Sequence, residues 1–174
     1  MTMVELVLAL LLLNVVILTG ISMEFGARRI YTATDLESVL LGELAPLVAS
    51  ITSDINQGIG SSADLPYSTA NLGGCANTLR IRLDANENGQ YDGGDIWVAY
   101  CRTAGNVFRY YPNAATPGTR VDLSNRTSVF TVSFSNDWAT VVLGARINPA
   151  AAVSMTNPEV IVNSSAQFRG TSFQ

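Results

Sequence analysis

Hydrophobic residues are laid out along this chain in three successive patterns. From Leu6 to Met23 the sequence is almost purely apolar, with Glu5 at its start and Asn14, Thr19, Gly20 and Ser22 as its only interruptions. A run of this length can cross the hydrocarbon of a bilayer as one helix. From Leu36 the pattern changes. Leu36, Leu40, Leu44, Leu47, Ile51 and Ile55 recur at steps of three and four, a single helical stripe. Asp35, Glu37, Glu43 and Asp54 lie off that stripe. Gly58 and Gly60 are natural stops. The spacing therefore predicts one helix over residues 1–57, roughly 80 Å long at 1.5 Å per residue. Its first half is apolar all round, and its second half must cover something. Pro46 removes one helical hydrogen bond and is expected to kink the axis.

Beyond the helix the period shortens to two. Residues 58–77 are rich in Gly, Ser, Asn and Ala and read as a loop. Leu79, Ile81 and Leu83 then alternate with Arg80 and Arg82, a strand pattern. Further strands are predicted at Ile96–Cys101, Asn106–Tyr111, Val129–Phe134, Thr140–Ile147 and Glu159–Val162. One helix followed by a series of antiparallel strands is an α+β arrangement, with the stripe packed on an antiparallel β-sheet. The division is a helix over 1–57, of which 1–25 is the membrane-length part, and a β-rich head over 58–174.

Composition narrows the chemistry. All ten basic residues are Arg, and both Lys and His are absent. Schiff-base lysines, histidine-based nucleophile activation, histidine metal ligands and the P-loop lysine are thereby excluded. No enzymatic activity is expected. The net charge of −4 gives no indication of a nucleic-acid surface.

One motif carries chemistry. Between the first two strong strands lies Asp84-Ala-Asn-Glu-Asn-Gly-Gln-Tyr-Asp-Gly-Gly-Asp95. Asp84, Asn86, Asn88, Asp92 and Asp95 fall at positions 1, 3, 5, 9 and 12 of this loop. Gly89 stands at position 6, and the Gln90 carbonyl at position 7. This is the EF-hand calcium-loop pattern, with Asp in place of Glu at position 12 and strands in place of the flanking helices. Calcium takes six to eight hard oxygen ligands, which this alternation supplies without crowding. Three Asp and two Asn suggest weak affinity, on the order of 0.1–1 mM. The ion would be structural, fixing the hairpin. The alternative is a solvated turn, because Asp, Asn and Gly are also what turns prefer.

The N-terminus resembles that of a mature type IV pilin or pseudopilin. The resemblance is carried by the apolar residues before Glu5, by Glu5 itself and by the long apolar helix after it. It covers roughly the first 25 residues. It implies that Met1 is the residue left after a prepilin peptidase removes a short basic leader. Such a leader would also account for Arg28 and Arg29 lying beyond the span with nothing basic before it. It further implies a pilin-like α+β fold, a single pass through the inner membrane before assembly, and an extracellular filament of copies of the chain afterwards, built by pilus or secretion machinery. Met1 and Glu5 become the assembly residues, with Glu5 pairing with the N-terminal amine of a neighbouring copy. A minor pseudopilin or minor pilin of a tip complex, and a membrane-anchored adhesin, stand as alternatives. In an exported head the even cysteine count favours a Cys75–Cys101 disulfide. The hairpin flanked by Leu83 and Ile96 puts Cys101 near residue 78, with Cys75 a few residues further out. Two unrelated buried thiols are the alternative.

Overall fold

A computed structural model of the chain describes residues 2–61, 64–86, 88–135 and 137–168. One helix, α1, runs unbroken from Met3 to Gln57. It continues through Pro46, which leaves the Gly42 carbonyl without its helical donor. Gly42 and Pro46 both face solvent, where water can serve that carbonyl.

The helix is two different objects joined end to end. Every residue from 2 to 32 is exposed. Further along, Leu40, Leu44, Ile51 and Ile55 are at most 1% exposed. Val48 completes the buried stripe, and Leu47 packs at its rim. The stripe prefers Val48 for a geometric reason. Counted from Leu44, Val48 sits about 40° around the axis and Leu47 about 60° to the other side. Each such side chain, fully buried, contributes about 1.5–3 kcal/mol.

Eight antiparallel strands follow, and they form two sheets where the sequence suggested one. Strands β1 (Tyr67–Ser68), β2 (Cys75–Leu83), β3 (Ile96–Thr103), β4 (Phe108–Tyr111) and β5 (Val121–Ser124) lie side by side in chain order. Strands β6 (Thr127–Ser135), β7 (Trp138–Arg146) and β8 (Glu159–Gln167) make the second sheet. Only Asn125 and Arg126 separate β5 from β6, so the change of sheet is abrupt. The helix packs mainly on β8, β7 and β2. Leu79, Ile81, Val98, Tyr100, Phe108, Phe130, Val141, Leu143 and Phe168 close around its stripe. Across the two sheets, the Tyr67 ring stacks on Phe134 at 3.7 Å, and Asn77 Nδ2 donates to the Phe130 carbonyl at 2.7 Å.

Several strands extend beyond their apolar cores. β2 starts at Cys75, inside the stretch that reads as a loop. β8 runs to Gln167 through Asn163, Ser164 and Ser165, with Ala166 its one buried residue. β4 starts later than its pattern suggests, because Asn106 takes a turn conformation at φ 64°.

Two acids that lie off the stripe are tied to the head. Glu43 accepts hydrogen bonds from Ser124 Oγ and, at 3.3 Å, from Arg126. Asp54 accepts from the Tyr100 hydroxyl at 2.7 Å. Burial raises the Asp54 carboxyl above its usual range, and the Tyr100 hydrogen bond partly opposes this. At the helix end, a Cβ on Gly58 would lie 2.6 Å from the Phe168 ring, so this close approach needs glycine.

The disulfide joins Cys75 and Cys101, with their Cα atoms 5.8 Å apart. Cys101 pairs with Thr78 across the ladder, and a bulge between Cys75 and Asn77 brings Cys75 back towards it. Leu72, Ala99, Tyr111 and Ala114 bury Cys101 in a second, smaller core, with Cys75 half-buried at its edge.

Two expectations follow for the detergent-solubilised protein. The double variant Cys75→Ser with Cys101→Ser should lose about 3 kcal/mol of stability, read from its denaturation midpoint. Thiols titrating in the unfolded, unreduced wild type would contradict the bridge. The second concerns Asp54, whose folded-state carboxyl is raised above its ordinary 3.8. Its contribution is therefore most favourable at low pH and is lost as pH rises through the raised value. Asp54→Asn should raise the melting temperature at pH 7, and that gain should fade as pH falls and be lost below pH 3.8.

Candidate functional site

Two regions carry the residues that the sequence singled out. The first is the start of α1. Thr2 N–H donates to Glu5 Oε2 at 2.7 Å, and Glu5 N–H to Thr2 Oγ1 at 3.4 Å. This is a reciprocal capping box, which satisfies backbone donors at the helix start and places an acid at its positive end. Glu5 thus has a partner in its own chain. Met1 lies outside the described residues. Along the span, Thr19 turns its hydroxyl onto the Val15 and Val16 carbonyls, and Ser22 turns its own onto Leu18. The polarity of both hydroxyls is absorbed within the helix. The helix is long and apolar enough to cross a membrane, with none of its apolar window buried by the head.

The second region is the loop from Asp84 to Asp95, closing the β2–β3 hairpin in which Leu83 pairs with Ile96. Asp84, Asn86, Asn88, Gln90, Asp92 and Asp95 all lie on it, and most converge. Asp84 Oδ1 accepts from Asn88 N–H at 3.2 Å, and its Oδ2 from Gly89 N–H at 2.7 Å. Asp92 accepts from Asn86 Nδ2 at 3.2 Å, Asn88 Nδ2 at 2.7 Å and Gly94 N–H at 2.7 Å. These donors, Gly94 first, hold the Asp92 carboxyl below its usual range. Asn88 Oδ1 takes the Gln90 N–H at 2.7 Å. Asp95 Oδ2 accepts from Asp92 N–H at 3.0 Å, while its Oδ1 is buried with no hydrogen-bond partner. Gly89 has φ +71°, the sharp turn that position 6 of a calcium loop requires.

This set fits a hard cation in its chemistry. Among the described residues, no three acidic, thiol or imidazole groups are gathered as a metal cluster. A cation would therefore depend on amide oxygens as well as carboxylates. Rotating the Asn86 and Asn88 amides would turn carbonyl oxygens towards Asp92 in place of their NH2 groups. An ion would also give the Asp95 Oδ1 a partner. Asp84, Asn86, Asn88, the Gln90 carbonyl, Asp92 and Asp95 are the ligands available.

A further group anchors this loop, and the alternating pattern concealed it. Arg82 reads as the solvent side of β2, yet it is only 8% exposed. Its guanidinium lies between the rings of Tyr91 and Trp97, 4.4 and 4.5 Å from their centroids. Asp64 lies 3.7 Å from it and also accepts from the Tyr91 hydroxyl. The signal was available in the hairpin register, since Leu83 opposite Ile96 places Arg82 opposite Trp97. No protein-family model, curated protein or solved structure matches the chain.

Proposed function

We propose that the chain is the structural subunit of an extracellular type IV pilus-like filament. The observation that carries this reading is the bare helix. Residues 2–24 project from the head as an exposed, mostly apolar cylinder. Water is a costly surrounding for such a surface, at about 25 cal/mol per Å2 of apolar area. Lipid covers it while the protein waits in the inner membrane, and the same helices of neighbouring copies cover it after assembly. Within that bundle Glu5 pairs with the free amine of Met1 of an adjacent copy. The pair fixes axial register, because an unpaired carboxylate in an apolar bundle costs several kcal/mol. Prepilin peptidase and the pilus or secretion machinery are the partners this reading requires.

A second reading is favoured by the capping box. If Glu5 serves only its own helix, the protein is a membrane-anchored head, such as an adhesin, that need not polymerise. Glutamine also completes a capping box but carries no charge. Glu5→Gln should therefore impair filament assembly as strongly as Glu5→Ala is expected to, if the intersubunit pair governs assembly. Normal filament yield from Glu5→Gln, counted by electron microscopy of sheared cell surfaces, would contradict the pairing.

The loop of residues 84–95 is proposed to hold one structural calcium ion, which stiffens the hairpin by replacing repulsion among three Asp with shared coordination. At about 2 mM calcium and a Kd of ~0.2 mM, binding should stabilise the protein by about 1.4 kcal/mol. Magnesium should do less, because it demands a tighter octahedral site. Melting curves with calcium and with chelator should separate for the wild type and coincide for Asp84→Ala. Coincident curves for the wild type would leave the loop as a solvated turn.

A further inference from the structure

The loop between β7 and β8 is built to present an apolar tip. Asn157 is 7% exposed and staples the loop from inside. Its Nδ2 donates to the Asn148 carbonyl at 2.9 Å and the Ala152 carbonyl at 3.0 Å, and its Oδ1 accepts from Asn148 N–H at 2.8 Å. Arg146 holds the loop base, bonded to the Ala151 carbonyl at 3.2 Å and paired with Glu159 at 2.8 Å. With its polar groups used internally, the loop turns Val153 and Met155 outward, 56% and 64% exposed. An ordered loop that shows water two large apolar side chains calls for an apolar neighbour.

That neighbour is indicated by where the loop stands. Ser154, Met155 and Thr156 form one wall of a groove of about 430 Å3, and Phe25, Arg28, Arg29 and Thr32 of α1 form the other. The apolar run Leu6–Met23 is about 27 Å long as a helix, close to the thickness of a bilayer's hydrocarbon. Arg28 follows Met23 by five residues, about 7–8 Å further along the axis. The groove therefore lies at the headgroup layer whenever the run spans a membrane. Arg28 pairs with Glu24 at 2.5 Å, and Arg29 has no ion-pair partner among the described residues. The groove wall thus carries one net positive charge.

We propose that this groove seats the headgroup of an anionic phospholipid in the leaflet on the head's side. Arg29, with Arg28, meets the phosphate, and Val153 and Met155 dip among the upper acyl carbons. The loop of residues 148–158 becomes a second membrane contact, which fixes the tilt of the head above the bilayer. This inference rests on the helix crossing a membrane but not on filament formation.

The test uses the full-length protein in vesicles. The only cysteines are bridged, so Met155→Cys offers a single thiol for a nitroxide label. In vesicles of phosphatidylcholine with phosphatidylglycerol, the label should be accessible to oxygen and shielded from a water-soluble nickel chelate. Docking should weaken about five-fold for each arginine removed, as in Arg28→Gln with Arg29→Gln. It should weaken likewise in phosphatidylcholine alone. A label equally open to nickel in all these samples would overturn the proposal. Release of the label by inorganic phosphate, but not by chloride of equal ionic strength, would assign the groove to a free anion instead. A parallel label at Val16→Cys reports on the span. If it lies in hydrocarbon while residue 155 stays in water, only the headgroup seat fails. If it too is open to nickel, the membrane span fails and the seat with it.

Discussion

One helix carries two incompatible surfaces, and the molecule is arranged around that fact. Up to Glu24 the helix stands clear of the head, and its large apolar side chains are left open. From Leu40 to Ile55 the same helix supplies the stripe on which both sheets close. A continuous helix does not bend readily between these halves, so whatever covers the first half also sets the position of the head. The head is correspondingly fixed to the rod at several heights. Glu43 meets Ser124 and Arg126, Asp54 meets Tyr100, and Phe168 lies against Gly58. Sliding the head along the helix would break all of these contacts together.

The parts of the fold that rest on a period were legible in the sequence. The helix needed only the apolar run and the stripe behind it. Strands β2, β3, β6 and β7 announced themselves through apolar residues that reach the core, alternating in β2 and continuous in β3. What escaped had no period to read. β1 is two residues long, and β5 presents Val121 and Asp122 to solvent. The far half of β8 is polar because only Ala166 turns inward. The break into two sheets was also hidden. It depends on the two-residue link at Asn125 and Arg126, where the chain leaves one hydrogen-bonded ladder for another.

Charged residues were the least legible, since a charge off the apolar positions of a strand or helix is read as solvent-facing. Arg82, Glu43 and Asp54 each break that rule in the same way. A charged head group can be held at the edge of the core if a specific partner replaces water. For Arg82 the partners are two aromatic faces and Asp64. For the two acids they are hydroxyl donors, joined for Glu43 by Arg126. In the loop of residues 84–95 the spacing of the oxygens was legible, but the anchoring of its middle through Tyr91 was not. That anchor needs Asp64, twenty-seven residues earlier in the chain.

The β2–β3 hairpin gathers these devices because of what is attached to it. Leaving the helix, the chain pairs at once with β2: Gly58 bridges to Leu83, and Ile59 N–H donates to the Arg82 carbonyl at 2.9 Å. The chain leaving the helix is therefore tied to the turn end of this hairpin, in addition to the contacts along the stripe. A slip of one residue in its register would turn every side chain of β2 to the opposite face and displace Leu79 and Ile81 from the stripe. The disulfide resists such a slip at one end of the hairpin. At the other end Tyr91 and Trp97 hold Arg82 from both sides, and the loop oxygens lie just beyond. The hairpin is thus pinned at both ends, and its turn end is also where the chain leaving the helix joins the sheet.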